Sequence, residues 1–89
     1  MREKEVEKYL IRQVRKSGGL CLKFISPGWS GAPDRICLWP CGRLKFVEVK
    51  RPGEGLRPLQ RERAEELSNL GFDVEVVDSL ERAREVADV

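Results

Sequence analysis

The run Leu44-Lys45-Phe46-Val47-Glu48-Val49-Lys50 constrains this chain more than any other segment. Period-2 alternation puts Phe46, Glu48 and Lys50 on one face and Val47 and Val49 on the other. The run is apolar enough for a central strand, yet an acid and an ammonium project from the same side of it. A solvated face on a half-exposed strand is one reading, and a polar constellation on a mostly buried sheet is the other. In either case a central strand needs flanking strands and covering helices, and 89 residues must supply them. That length suits one domain over residues 1–89, with a modest core that dimerisation would enlarge.

The rest of the sequence supplies those elements. Lys4 to Lys16 reads as a helix, with Val6, Tyr9, Leu10 and Val14 in one arc and Ile11 at its edge. Ser17-Gly18-Gly19 stops it. Leu20 to Ile25 is predicted as a first strand, Pro27 to Pro33 as a loop, and Arg35 to Trp39 as a second strand. A turn over Pro40 to Arg43 pairs this strand with Leu44–Lys50 as a hairpin. After a Pro/Gly-rich connection, Pro58 to Leu70 forms a second helix, with proline tolerated in its first turn. Phe72 to Val77 is a fourth strand, and Asp78 or Ser79 caps a last helix with Leu80, Ala83, Val86 and Ala87 on one face. The expected fold is α/β, a mixed α+β sheet with helices on its faces in the order α-β-β-β-α-β-α.

Composition excludes whole classes of chemistry. There is no histidine, so histidine triads, Cys-His nucleophiles and histidine-ligated metals are impossible. The three cysteines, Cys21, Cys37 and Cys41, cannot complete a disulfide framework and lack the spacing of zinc knuckles. They read as reduced, structural thiols. No apolar run is long enough for a membrane span, and Met1-Arg2-Glu3-Lys4-Glu5 begins no signal peptide, so a soluble cytoplasmic protein is expected. The net charge of +2 conceals a split. Gly71 to Val89 carries six acids against two arginines, or −4, leaving +6 on the first 70 residues. A positive body fits a polyanionic partner, although ordinary solvated charge would look the same.

Polar residues break the apolar pattern in three places. Glu48 and Lys50 do so on the third strand. In the second helix, Gln60 falls inside the arc of Leu59, Ala64, Leu67 and Leu70, where its amide requires partners unless it reaches solvent at the rim. In the first helix, Glu3 and Glu7 share the side of Val6, Leu10 and Val14. A carboxylate there calls for a cation, from Lys, Arg or a metal, unless Glu3 frays into water. Asp34 opens the second strand, so the hairpin brings its carboxylate toward that of Glu48, with Lys50 two residues farther along the same face.

Oxygen ligands without histidine suit a hard cation, Mg²⁺ or Mn²⁺. Asp34 and Glu48 would supply carboxylates, and the Val49 carbonyl is a possible further ligand. Such an ion lowers the pKa of a bound water and offsets charge on a phosphoryl group in flight. Lys50 would hydrogen-bond the attacking water or the scissile phosphate. The chemistry is phosphodiester hydrolysis.

Pro33-Asp34 followed by Glu48-Val49-Lys50 resembles the PD-(D/E)xK nuclease signature. Four segments extend the match: Glu3 and Glu7, Ser30-Gly31-Ala32-Pro33-Asp34-Arg35, Phe46 through Gly53, and Leu56-Arg57-Pro58-Leu59-Gln60. Together they are similar to the VRR-NUC family of virus-type replication-repair nucleases, over nearly the whole chain from Glu3 to about Val77. A bare PD…ExK match is weak; this ordered set is far more specific. The resemblance implies a restriction-endonuclease-like fold and a Mg²⁺- or Mn²⁺-dependent DNA endonuclease acting in replication, repair or recombination. It implies a homodimer of phage or prophage type, working on branched DNA such as four-way (Holliday) junctions in a bacterial host. By position, Asp34 and Glu48 become metal ligands, Lys50 the catalytic lysine and Gln60 the helix glutamine beside the site. Glu3 matches the acidic start of the family's first helix. Glu7 has the spacing from Gly18 found in related junction-resolving nucleases and is the preferred of the two.

Lys23, Arg35, Arg51, Arg57 and Arg61 lie closest in sequence to these elements and are candidate DNA-phosphate contacts, or else ordinary surface charge. Trp29 is placed either to stack on an unpaired base or to cover the small core. Two rivals to the nuclease stand beside it. One is a catalytically silent nucleic-acid-binding module. The other is an interaction protein whose carboxylates form internal salt bridges with Lys50 and Arg35.

Overall fold

Val6, Leu10 and Val14 recur at helical spacing, and all three are fully buried along one face of α1 (Glu3–Lys16). Glu3 and Glu5 in the first turn and Arg15 and Lys16 in the last complement the helix dipole. The computed structural model describes all 89 residues. After α1 come β1 (Leu20–Lys23), β2 (Arg35–Trp39), β3 (Arg43–Val49), α2 (Pro58–Asn69), β4 (Asp73–Val77) and α3 (Leu80–Ala87). This is the expected order.

The chain leaves α1 through Gly18, in the left-handed region at φ +93°. Gly19 is required for a different reason. A Cβ on it would lie 2.5 Å from the Leu38 carbonyl oxygen and 2.7 Å from Trp39 Cδ1. The bare backbone lets the indole lie against the turn, where Trp39 Nε1 donates to Ser17 Oγ at 2.9 Å.

The four strands form one sheet in the order β1-β2-β3-β4. The first two pairings are antiparallel, and β3 with β4 is parallel, with α2 in the crossover. Cross-strand partners share a face. Cys37, Trp39, Val47, Val49 and Val77 therefore point together, and they meet Val6, Leu10 and Val14 of α1 and Ala83, Val86 and Ala87 of α3. Ser79 caps α3 by accepting from the Arg82 N–H at 3.0 Å. Lys45 Nζ donates to the Val86 carbonyl at 3.0 Å, which places a cation on the last turn of that helix.

The opposite face is covered less completely. Phe24, Phe46 and Phe72 stack edge to face across it, with centroids 5.4 and 5.7 Å apart. Helix α2 packs against β4 and buries only Leu67. Leu59 and Leu70 of the predicted apolar arc are exposed, as are Leu20 and Leu22 on β1. Periodicity identified the apolar residues of α2, but β1 and β2 lie beyond this helix, so part of its arc has nothing to cover.

Strand β1 is shorter than predicted. The Phe24 N–H still donates to the Asp34 carbonyl at 2.9 Å. Past that point Ile25 is exposed and Pro27, with no N–H to offer, takes the chain into the loop.

Gly19→Ala tests the close approach. It should lower stability by about 2 kcal/mol in urea unfolding. Gly55→Ala, where an added Cβ meets nothing within 4 Å, should change it little.

Candidate active site

The β2–β3 register sets Arg35 opposite Val47. One step farther toward the carboxyl end of β3, Asp34 and Glu48 therefore face each other. Asp34 Oδ1 accepts from the Val49 N–H at 3.1 Å, which ties the loop-borne acid to the central strand. Beyond β3 the backbone continues its parallel ladder, the Lys50 N–H donating to the Val77 carbonyl at 2.9 Å. Glu48 and Lys50 are only 7% and 6% exposed, the two charged residues among the buried set. The sheet thus holds an acid and a lysine on one face, as the alternation predicts.

Burial makes both carboxylates reluctant to ionise. The Asp34 pKa is raised to about 6, mainly by desolvation, against the Val49 hydrogen bond that favours the anion; Glu7 and Glu3 repel it further. The Glu48 pKa is raised to about 7 by desolvation first, then by repulsion from Asp34, with Lys50 opposing the shift. Lys50 itself takes part in none of the five ion pairs of the molecule. The internal-salt-bridge reading of Lys50 is therefore not what the side chains form.

Gln60 finds the partners its position requires. Its Oε1 accepts from the Arg57 N–H at 2.9 Å, closing the first turn of α2, while Nε2 donates to Glu48 Oε2 at 3.2 Å. One amide caps a helix and orients a site carboxylate.

The two acids of α1 have different partners. Glu7 Oε2 accepts from Arg35 Nε at 3.1 Å, so it is neutralised locally. Glu3 has no ion pair, adds repulsion at both Asp34 and Glu48, and shares a shallow groove with Arg2, Arg51 and Glu54. Both α1 acids thus act on the pair, Glu7 and Glu3 on Asp34 and Glu3 on Glu48. No group of three or more acidic or cysteine side chains is gathered to hold a metal ion, and Asp34 and Glu48 stand as a facing pair.

The basic candidates also divide. Arg51, Arg57 and Arg61 are exposed next to the site, Arg51 only loosely paired with Glu54 at 3.6 Å. Lys23 is exposed on edge strand β1. Arg35 does not join them. Its side chain is 14% exposed, held by Glu7 and donating to the Cys21 carbonyl at 3.4 Å, so it is a structural cation under α1 and not an outward phosphate contact.

Sequence reasoning missed Arg63. Its guanidinium lies 5.1 Å from the centre of the Trp29 ring, and its Nε donates to the Ser30 carbonyl at 2.8 Å. Gly31, at φ +85°, lies so close to α2 that a Cβ would come within 2.8 Å of Leu59 Cγ. Trp29 and the loop leading to Asp34 are thus docked on α2. The one signal in the sequence was a glycine just ahead of Ala32-Pro33-Asp34.

Opposed carboxylates beside a lysine without an ion-pair partner, at the end of a mixed sheet, are the arrangement that the Pro33-Asp34 and Glu48-Val49-Lys50 signature implies. Residues 3–81 match the VRR-NUC domain model. A solved structure titled "VRR_NUC domain" superposes with a TM-score of 0.89 at 34% identity, over 94% of this chain and 91% of that one. The chain is 47% identical over 79 residues to "Putative nuclease p44" of Acyrthosiphon pisum secondary endosymbiont phage 1, covering 89% of this chain and 85% of that protein. It belongs to the VRR-NUC family of nucleases. No helix is long and apolar enough to cross a membrane.

The raised pKa values carry a signed prediction. Between about pH 4 and 7 the folded, metal-free protein holds protons on Asp34 and Glu48 that the unfolded chain releases, so their contribution to stability falls as pH rises. The Asp34→Asn/Glu48→Gln variant should therefore gain several degrees in Tm on the wild type between pH 4.5 and pH 8, measured without divalent metal. A pH-independent difference would contradict the shifts.

Proposed function

We propose that this VRR-NUC protein is a Mg²⁺- or Mn²⁺-dependent endonuclease that hydrolyses phosphodiester bonds in branched DNA, four-way junctions included, as a homodimer. The observation that carries the reading is the facing pair of acids, Glu48 buried and Asp34 half-buried, that no ion pair neutralises, with Lys50 alongside. An oxygen-only donor set that resists ionisation until a positive charge arrives fits a hard divalent ion.

Asp34, Glu48 and the Val49 carbonyl would hold that ion, which when bound lowers the pKa of a water and offsets phosphate charge. The remaining work belongs to the chain. The Val49 N–H fixes Asp34, and Gln60 Nε2 holds Glu48 Oε2, so both acids are oriented before a substrate arrives. Lys50 Nζ has no carboxylate partner and is left to donate to the attacking water or to a phosphate oxygen. Burial of its stem limits its conformations. Arg51, Arg57 and Arg61 supply exposed positive charge for the flanking backbone.

The half-covered sheet face supports self-association. Leu20 and Leu22 stand beside Leu38 and Ile36 in the sheet and are 48% and 44% exposed, on a molecule of only 89 residues. A second copy applied about a two-fold axis would cover this row with its own and present two sites to the paired strands of a junction.

With Mg²⁺ or Mn²⁺, purified protein should cut four-way or flapped DNA and do nothing in chelator. Asp34→Asn and Lys50→Ala should each reduce cleavage by about 100-fold or more while DNA binding persists. Junction binding by the wild type without cleavage in either metal would instead identify a silent binding module. In sedimentation, Leu22→Asp should turn a dimer into a monomer; an unchanged sedimentation coefficient would reject this face as the interface.

A further inference from the structure

Cys21 and Cys37 are directly opposed on β1 and β2. The Phe24 N–H to Asp34 carbonyl bond marks that opposed pair as hydrogen-bonded. Pairs alternate along an antiparallel ladder, so Phe24–Asp34, Leu22–Ile36 and Leu20–Leu38 are of one kind, and Cys21–Cys37 falls between them. At such a non-hydrogen-bonded position the Cα atoms stand about 4.5 Å apart with the side chains turned together. A disulfide spans Cα separations of about 4.4–6.8 Å, so the backbone is already placed for one.

The surroundings agree. Cys37 is fully buried in the core, while Cys21 is partly exposed on the edge strand. The neighbouring Cys37 thiol, first, and the Arg35 charge lower the Cys21 pKa against the opposing effect of burial. Cys21 is thus the accessible, more nucleophilic member and Cys37 the one that waits behind it. Cys41 lies exposed in the β2–β3 turn and has no partner in the register.

We propose that Cys21 and Cys37 form a reversible oxidation site, converted by hydroperoxides to a disulfide that ties edge strand β1 to β2. The Cys21 sulfur attacks one oxygen of hydrogen peroxide, the O–O bond breaks, and water leaves with the thiol proton, giving a sulfenic acid. The Cys37 sulfur then attacks the Cys21 sulfur, the S–O bond breaks, and the hydroxyl departs as water with the Cys37 proton. Two thiols lose two electrons in all, and one peroxide becomes two waters. The closed loop contains Ser26 to Asp34, the segment that delivers the site aspartate, so the bridge braces that segment independently of the nuclease chemistry.

The experiment uses Cys41→Ser protein, which removes bridging between copies through that turn. After hydrogen peroxide treatment of the native protein, the thiols titrated in denaturant should fall from two to none. The intact mass should fall by about 2 Da. Peptide mapping should join Cys21 to Cys37, and dithiothreitol should restore both thiols. Cys21→Ser in the same background should leave Cys37 unreacted at the same dose, as its burial requires. Retention of both thiols, a gain of oxygen on Cys21 without a bridge, or a Cys21–Cys21 link between copies would each overturn the proposal.

Discussion

The register of the β2–β3 hairpin is the constraint on which the candidate site depends. Pairing Arg35 with Val47 and Cys37 with Lys45 sends Val47 and Val49 into the core beneath α1 and α3. Because side chains alternate, the same pairing forces Glu48 and Lys50 onto the other face. A slip of one residue would expose two fully buried valines, each worth about 1.5–3 kcal/mol of apolar burial, and would drive an acid and a lysine into the core. Ordinary hydrophobic burial thus holds two charged groups where their own solvation would not put them.

Asp34 completes the arrangement through the backbone. Its carboxylate takes the Val49 N–H as β2 begins, so loop, β2 and β3 are joined at one point. Around it, Gln60 ties α2 to Glu48, the Gly31 approach to Leu59 presses the loop on α2, and Arg63 closes over Trp29. Positive charge is allotted unevenly. Glu7 receives Arg35, and Glu75 receives Arg82, whereas the Asp34–Glu48 pair makes no ion pair and has only the field of Lys50 to favour the Glu48 anion. That missing countercharge at the centre is the physical basis of the metal-dependent reading. The acidic end of the chain does not alter it, since Arg82 also engages Glu85 at 3.4 Å within that segment.

Much of this was legible in the sequence because it depends on local periodicity. The element order, the shared face of Glu48 and Lys50, the approach of Asp34 and the inward amide of Gln60 all follow from alternation, helical spacing and a single hairpin. What was not legible depends on contacts between distant segments. Arg35 reads as a DNA contact, a surface charge or an internal ion-pair partner until Glu7, 28 residues earlier, is seen to hold it. Glu3 and Glu7 fall on the same side of a helical wheel, and only the packing of α1 on the sheet shows that Glu7 meets Arg35 while Glu3 makes no ion pair. The apolar arc of α2 is real, but a periodicity does not say how far the sheet extends beneath it. Three scattered cysteines likewise look unrelated until the register sets two of them opposite each other at a non-hydrogen-bonded position.

The most direct measurement of the central claim is calorimetric titration of the protein with Mn²⁺ at pH 8 and at pH 6, in buffers of different ionisation enthalpy. Asp34 and Glu48 must shed protons to bind a cation, so affinity should drop at pH 6 with protons released on binding, and Asp34→Asn should abolish the binding heat at both values. Absence of binding at pH 8, or equal binding by Asp34→Asn, would contradict a metal centre built on these two carboxylates.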